Sequence, residues 1–226
     1  GMKTKETGLS LTSFGAAGEV TGSQHLIQTS DGVQLLLDCG LFQGHREEST
    51  LKNCEFAYTA GKISAVLLSH AHIDHSGLIP KLVKDGFMGK IFATEGTKEL
   101  SHAMLLDSAH IQEEDERYYR KHHLKSPLSV KLPLYRKSDA EKALKHFMGK
   151  PYEQAFQIAE GITAEFFDAG HVFGSAITVL SIKTPDGKKK IVYTGDLGRE
   201  NVPIIKDPML IAEADYLIIE TTYGNR

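Results

Sequence analysis

The sequence contains no tryptophan and only two cysteines, Cys39 and Cys54, in 226 residues. Two cysteines cannot build the disulfide framework of a small secreted domain, and the polar start KTKETGLS lacks the apolar stretch of a secretory leader. A reducing, cytoplasmic setting is therefore expected. No run of about 18 apolar residues is present, which excludes a spanning helix and a membrane partner. Internal repeats, low-complexity tracts and Pro-rich linkers are also missing, with seven prolines in the whole chain. Neither sign of charge dominates: 26 Lys and Arg face 29 Asp and Glu, so bulk electrostatics do not hold this chain to a polyanion. What remains is a globular composition, 41% apolar and 24% charged, at a length that suits one large domain. Gly1 stands before Met2, which is not how a gene product begins, so it is read as left over from expression and the domain as residues 2–226.

The charge is uneven. From Arg117 to Lys150 ten Lys or Arg meet only Asp139 and Glu141, a local +8. That segment either meets a polyanion or is the solvated face of a helix pair.

Short β-like runs, LSLTSF, HLIQT, VQLLLD and SAVLLSH, occupy the first seventy residues, separated by Gly, Ser and Asp clusters. SGLIPKLVK carries apolar residues at helical spacing, and the strand KIFAT follows. The apolar period predicts a helix from Thr97 to about Arg120, and Ser138 with Glu141 forms a capping box for another. ITAEFFD, AITVLSIK and KKKIVYT then alternate as strands, the last two joined at TPDG as a hairpin, and ADYLIIE ends on Glu220. Strands, then helices, then strands again predict α/β layers.

The strongest chemical signal is H-x-H-x-D-H over His70, His72, Asp74 and His75, directly after a strand and before a helix. Imidazole and carboxylate suit Zn²⁺, with Mn²⁺ or Fe admissible, and four such ligands within six residues crowd a single ion. Two metals are implied, one addressed by His70 and His72 and the other by Asp74 and His75. His171 in DAGHVFGSA and Asp196 in YTGDLG follow strands in the same way and supply further ligands. Asp196, with two oxygens, can bridge two ions with a hydroxide between them as nucleophile. Asp38 and Glu220 read as supporting carboxylates and Asp74 as the one that orients the attacking water. Cys39 reads as a buried apolar side chain. Backbone N–H groups at Gly174 and Ser175 could meet a phosphate, although such a pair more often marks a turn.

The ordered set FGAAGEVTGSQHLI, LLLDCGLFQG, LLSHAHIDHSGLIPKL, DAGHVFGSA, YTGDLGR and IIETTYGNR resembles the metallo-β-lactamase superfamily, and within it the β-CASP branch of nucleic-acid-processing nucleases. The resemblance runs from about Leu9 to Arg226. It implies a four-layer αββα sandwich, with His70, His72 and His171 on one zinc, Asp74 and His75 on the other and Asp196 bridging. It makes Asp38 an outer aspartate and Glu220 the acidic residue that orients a general-acid histidine. In that branch a cap and a returning segment follow this glutamate, whereas here six residues follow it. A sandwich incomplete at its C-terminal side is therefore expected, with homo-oligomerisation through the apolar surface left open. The implied function is zinc-dependent, dinuclear hydrolysis of single-stranded RNA, as in RNA processing or decay. A hydrolase of a small ester or thioester, or an inactive metal-binding subunit, is the alternative.

Overall fold

The computed structural model describes residues 8–15, 22–43, 52–124, 133–170, 172–197 and 209–221. Two sheets carry the fold. The first holds β1 (Leu9–Ser13), β2 (His25–Thr29), β3 (Gln34–Leu37), β4 (Ala65–Leu67), β5 (Lys90–Ala93) and β6 (Phe147–Gly149) in that spatial order. β1 to β3 form an antiparallel meander, and β3 to β6 run parallel. Parallel strands need crossovers, which are supplied by α1 (Ile73–Ser76) and α2 (Ile79–Lys84), then by α3 (Glu95–Lys121) and α4 (Lys137–Leu144). The second sheet holds β7 (Phe156–Ala159), β8 (Ile162–Asp168), β9 (Ala176–Thr184), β10 (Gly187–Leu197) and β11 (Tyr216–Thr221). It is antiparallel except for the last pair, which is parallel and connected through α5 (Met209–Ala212).

The run Leu35-Leu36-Leu37 shows why the sequence gives layers. Leu36 joins Leu78, Leu82 and Leu105 in a core beneath the helices, while Leu35 and Leu37 join Phe166, Leu180 and Ile191 between the sheets. A strand covered on both faces is apolar at every position. The outer face of the second sheet, Ile177, Val179 and Val192, packs against Leu210 and Ala214. Helix, sheet, sheet and helix follow in the expected αββα order. On the edge strand β11, Tyr216 and Ile218 face inward, whereas Leu217 and Ile219 stay exposed.

The helix expected at Ser76–Lys84 begins earlier and in two pieces, so Asp74 and His75 already lie within α1. The capping box expected from Ser138 and Glu141 is corrected: α4 begins after Arg136, whose N–H donates to Asp139 Oδ2 at 2.8 Å. A carboxylate at the third helical position reaches back to the cap, and this sets the start two residues ahead of Ser138. The hairpin at TPDG forms as expected between β9 and β10. Cys39 is fully buried. Among the described residues no helix is long and apolar enough to cross a membrane.

Candidate metal centre

Parallel strands present functional groups where their carboxyl ends meet the loops. Asp38 follows β3 and Ser69-His70 follow β4, while Asp196 and Glu220 are opposed in the register of β10 and β11. The H-x-H-x-D-H segment is clasped there by main-chain bonds: Ser23 N donates to Asp74 O at 2.8 Å, Cys39 N to His75 O at 2.8 Å and Leu41 N to Ile73 O at 3.0 Å. Gly40 allows the approach, since a Cβ on it would lie 1.7 Å from Asp74 O. The step that aims Asp196 is a register shift in β10. Tyr193 pairs with Ile218 but Asp196 with Glu220, so one extra residue is inserted. Tyr193 points into the inter-sheet core, and strict alternation would turn position 196 away from it. The bulge restores Asp196 to the inner side. Gly195 makes this practicable, with φ of +64° and no room for a Cβ beside Ser69 at 2.9 Å.

The donor atoms of His70, His72 and Asp74 all lie within 4.8 Å of one another, and so do those of Asp74, His75 and Asp196. Among the described residues these two donor sets share Asp74, and a third, of Asp38, His70 and His75, overlaps both. Imidazole with carboxylate is the donor chemistry of divalent zinc, manganese or iron, so these residues fit the implied metals. His171 lies outside the described residues.

Asp38 is the hub behind the ligands. It is fully buried and sits at φ +60°, a left-handed conformation uncommon outside glycine, Asn and Asp. Its Oδ1 accepts from Ser69 N at 2.7 Å, and its Oδ2 accepts from Ser69 Oγ at 2.7 Å, His75 Nδ1 at 2.6 Å and Tyr193 OH at 2.6 Å. The Ser69 hydroxyl proton is thereby committed, so its 3.0 Å contact with His70 Nδ1 is donated by the ring, leaving His70 Nε2 as the lone-pair nitrogen. His75, bound through Nδ1, turns its Nε2 toward Asp74 Oδ2 at 3.6 Å and Glu220 Oε2 at 3.7 Å.

Burial alone would lower the His75 pKa, but the hydrogen bond to Asp38 and the charges of Asp38, Asp74 and Glu220 outweigh it and raise it to about 9. A group raised above its ordinary 6.5 stabilises the fold fully below pH 6.5, and that contribution is lost as pH rises through about 9. Metal-free protein is therefore expected to lose up to about 3 kcal/mol between pH 6 and pH 10. Chemical denaturation with a chelator present measures this, and unchanged stability across the range would contradict it. With His75 as a ligand, metal binding would expel the same proton, so affinity is expected to rise over that interval.

Glu220 stands at the other side of the pocket. Its Oε1 contacts His25 Nε2 at 2.6 Å and accepts a short bond from Ser23 Oγ, and Tyr193 OH lies 3.4 Å from Oε2. Burial would raise its carboxyl, yet the hydrogen bond from His25, the charges of His75 and His25 and the bond from Ser23 hold it below the usual range. His25 is itself anchored to Ser13 Oγ at 2.7 Å through Nδ1. Ser23, His25, Ser69 and Tyr193 were not singled out from sequence. Each lies inside a quoted motif: Ser69 beside His70, Tyr193 three positions before Asp196, and Ser23 and His25 in a run with no candidate ligand nearby.

Two alternatives that the sequence left open are narrowed. Arg117 pairs with Glu114, Arg120 with Glu116 at 3.1 Å, and Arg136 with Glu116 at 3.0 Å and Glu113 at 3.6 Å. The basic segment begins directly after Glu113-Glu114-Asp115-Glu116, and helical spacing folds those acids back onto it. Its three arginines are thus paired with acids, which favours the solvated-face reading for that part of the segment. At Gly174-Ser175, Ser175 N donates to Val172 O at 2.9 Å, and Gly174 O accepts from Thr94 Oγ1 and Thr97 Oγ1. The pair is a turn, and Ser175 N–H is not available to a phosphate.

Comparison with known proteins gives a consistent result. The metallo-β-lactamase superfamily profile matches residues 17–224. The chain is 36% identical over 213 residues to Ribonuclease TTHA0252 of Thermus thermophilus, covering 94% of this chain and 43% of that protein. It is 32% identical to Transcription termination factor FttA of Methanosarcina mazei, over 98% of this chain and 32% of the relative. It is also 32% identical to Probable RNase MJ4 of Methanocaldococcus jannaschii, over 93% and 45% respectively. The chain thus spans less than half the length of these relatives.

Proposed function

The chain belongs to the metallo-β-lactamase superfamily, and we propose that it is the catalytic part of a β-CASP-type ribonuclease that hydrolyses phosphodiester bonds in single-stranded RNA. The observation that carries this reading is the pair of adjoining donor sets that share Asp74. In this reading His70 and His72, with His171 from the motif, would hold one zinc ion, Asp74 and His75 would hold the second, and Asp196 would serve both. When bound, such a pair activates water and neutralises the non-bridging phosphate oxygens. Asp74 orients the attacking water, and Asp38 fixes the ring of His75. Glu220, kept ionised beside His25, orients the proton donor for the departing oxygen. The names of the relatives, two of them ribonucleases, support RNA as the substrate.

The test is to strip the protein with a chelator, restore zinc or manganese, and offer end-labelled single-stranded RNA beside a small thioester. Cleavage of RNA alone is expected, falling on stripping by roughly 10³-fold or more, the equivalent of several kcal/mol of charge stabilisation. Thioester hydrolysis without RNA cleavage would move the reading to a small-ester hydrolase. Inertness toward both, with two ions bound, would point to a metal-binding subunit or to a requirement for the part of the relatives that this chain does not span.

A further inference from the structure

Behind the metal ligands lies a buried hydroxyl with two carboxylates in reach. Tyr193 is 1% exposed, its ring belongs to the inter-sheet core, and its OH lies 2.6 Å from Asp38 Oδ2 and 3.4 Å from Glu220 Oε2. A phenol has one proton to give, and the shorter contact takes it. Its oxygen also meets Ser23 Oγ at 3.1 Å, and Ser23 in turn donates to Glu220. Two carboxylate–histidine pairs, Asp38 with His75 and Glu220 with His25, are therefore joined through two hydroxyls whose protons are shared between them. Among the described residues Asp38 Oδ2 faces three donors, of which only Tyr193 approaches from the second sheet. The others, Ser69 and His75, belong to the very loop that Asp38 orients. Without Tyr193 the carboxylate is held only by the loop it is meant to fix.

We propose that Tyr193 is a positioning residue for the metal ligand His75, acting through Asp38, and that it couples this ligand to the charge on Glu220. The inference rests on the two-metal reading above and adds to it a determinant of the second site. Because Asp38 Oδ2 holds His75 directly and reaches His70 only through Ser69, loss of the phenol weakens the site of His75 more than that of His70. Outer partners of ligating histidines typically contribute 10- to 100-fold in metal affinity.

The test uses the full 226-residue chain, titrated with Co²⁺ and Zn²⁺ and followed by calorimetry and by the Co²⁺ absorption bands. Wild type should take up two ions, and uptake of only one would overturn the two-metal reading, and this inference with it, before any variant is made. With two ions bound, Tyr193→Phe should weaken one site by about tenfold, with altered Co²⁺ bands for that ion, and affect the other site clearly less. Tyr135→Phe is the control. It removes an equally buried phenol, bonded to Ser108 at 2.8 Å, and should leave both affinities alone. Tyr193→Phe and Glu220→Gln should combine non-additively, since both act on one hydroxyl network. Identical metal binding by wild type and Tyr193→Phe, or equal weakening of both sites, would overturn the proposal while the two-metal reading stands. Should Tyr193→Phe fail to fold, Ser23→Ala provides the second reading: a selective fall at the same site supports the coupling, and unchanged affinities overturn it.

Discussion

Asp196→Ala is expected to reduce metal-dependent RNA cleavage by at least about 10³-fold, the largest effect foreseen for a single side chain. Asp196 is 7% exposed and belongs with Asp74 and His75 to one donor set. In the two-metal reading this carboxylate serves both cations, so its removal is expected to cost several kcal/mol of transition-state stabilisation, and each 1.4 kcal/mol is tenfold in rate. The fold should tolerate the change, because alanine leaves the bulge in β10 and Gly195 intact. Single-turnover cleavage of end-labelled RNA, run beside a metal assay and circular dichroism, checks this. A folded variant that cleaves at the wild-type rate would remove Asp196 from the centre and the dinuclear reading with it.

Asp38→Ala should act on stability as much as on metal binding. Four donors converge on this carboxylate: Ser69 N, Ser69 Oγ, His75 Nδ1 and Tyr193 OH. Alanine leaves all four without their acceptor in a fully buried position and must also adopt φ +60°. Breaking a buried charged pair from one side costs roughly 3–5 kcal/mol, a large share of the 5–15 kcal/mol typical of a domain. Asp38→Asn separates the two effects. Asparagine accepts the left-handed backbone and preserves the volume, so the variant should fold while binding metal about 10- to 100-fold more weakly. Urea denaturation and metal competition against a chromophoric chelator measure the pair. An alanine variant within 1 kcal/mol of wild type would show that Asp38 is not the hub that its contacts describe.

Much of this was legible in the sequence because metal chemistry is local. His70, His72, Asp74 and His75 fall within one turn of chain, so spacing alone brings them near one another. Asp38 and Glu220 were legible for another reason: each ends an apolar run, and the carboxyl ends of buried strands are where charged side chains emerge. The two readings of the basic segment stayed open because the acids that pair with its arginines, Glu113 to Glu116, lie just outside the window in which the charges were counted.

The neutral residues of the network were not legible. Ser23 and Tyr193 are 170 positions apart, and nothing local marks either as a partner of the other. Hydroxyls carry no distinctive spacing, and their protons take direction only from the acceptors that surround them. By itself the sequence determined the ligand types, their local grouping and the strand ends that deliver them, because alternation and periodicity are properties of neighbouring residues. Tertiary structure alone decided that one extra residue in β10 would turn Asp196 inward, and that a single phenol would stand between Asp38 and Glu220. Register between distant strands follows from the packing of two sheets on one core, a sum over many weak contacts that no short stretch of sequence contains.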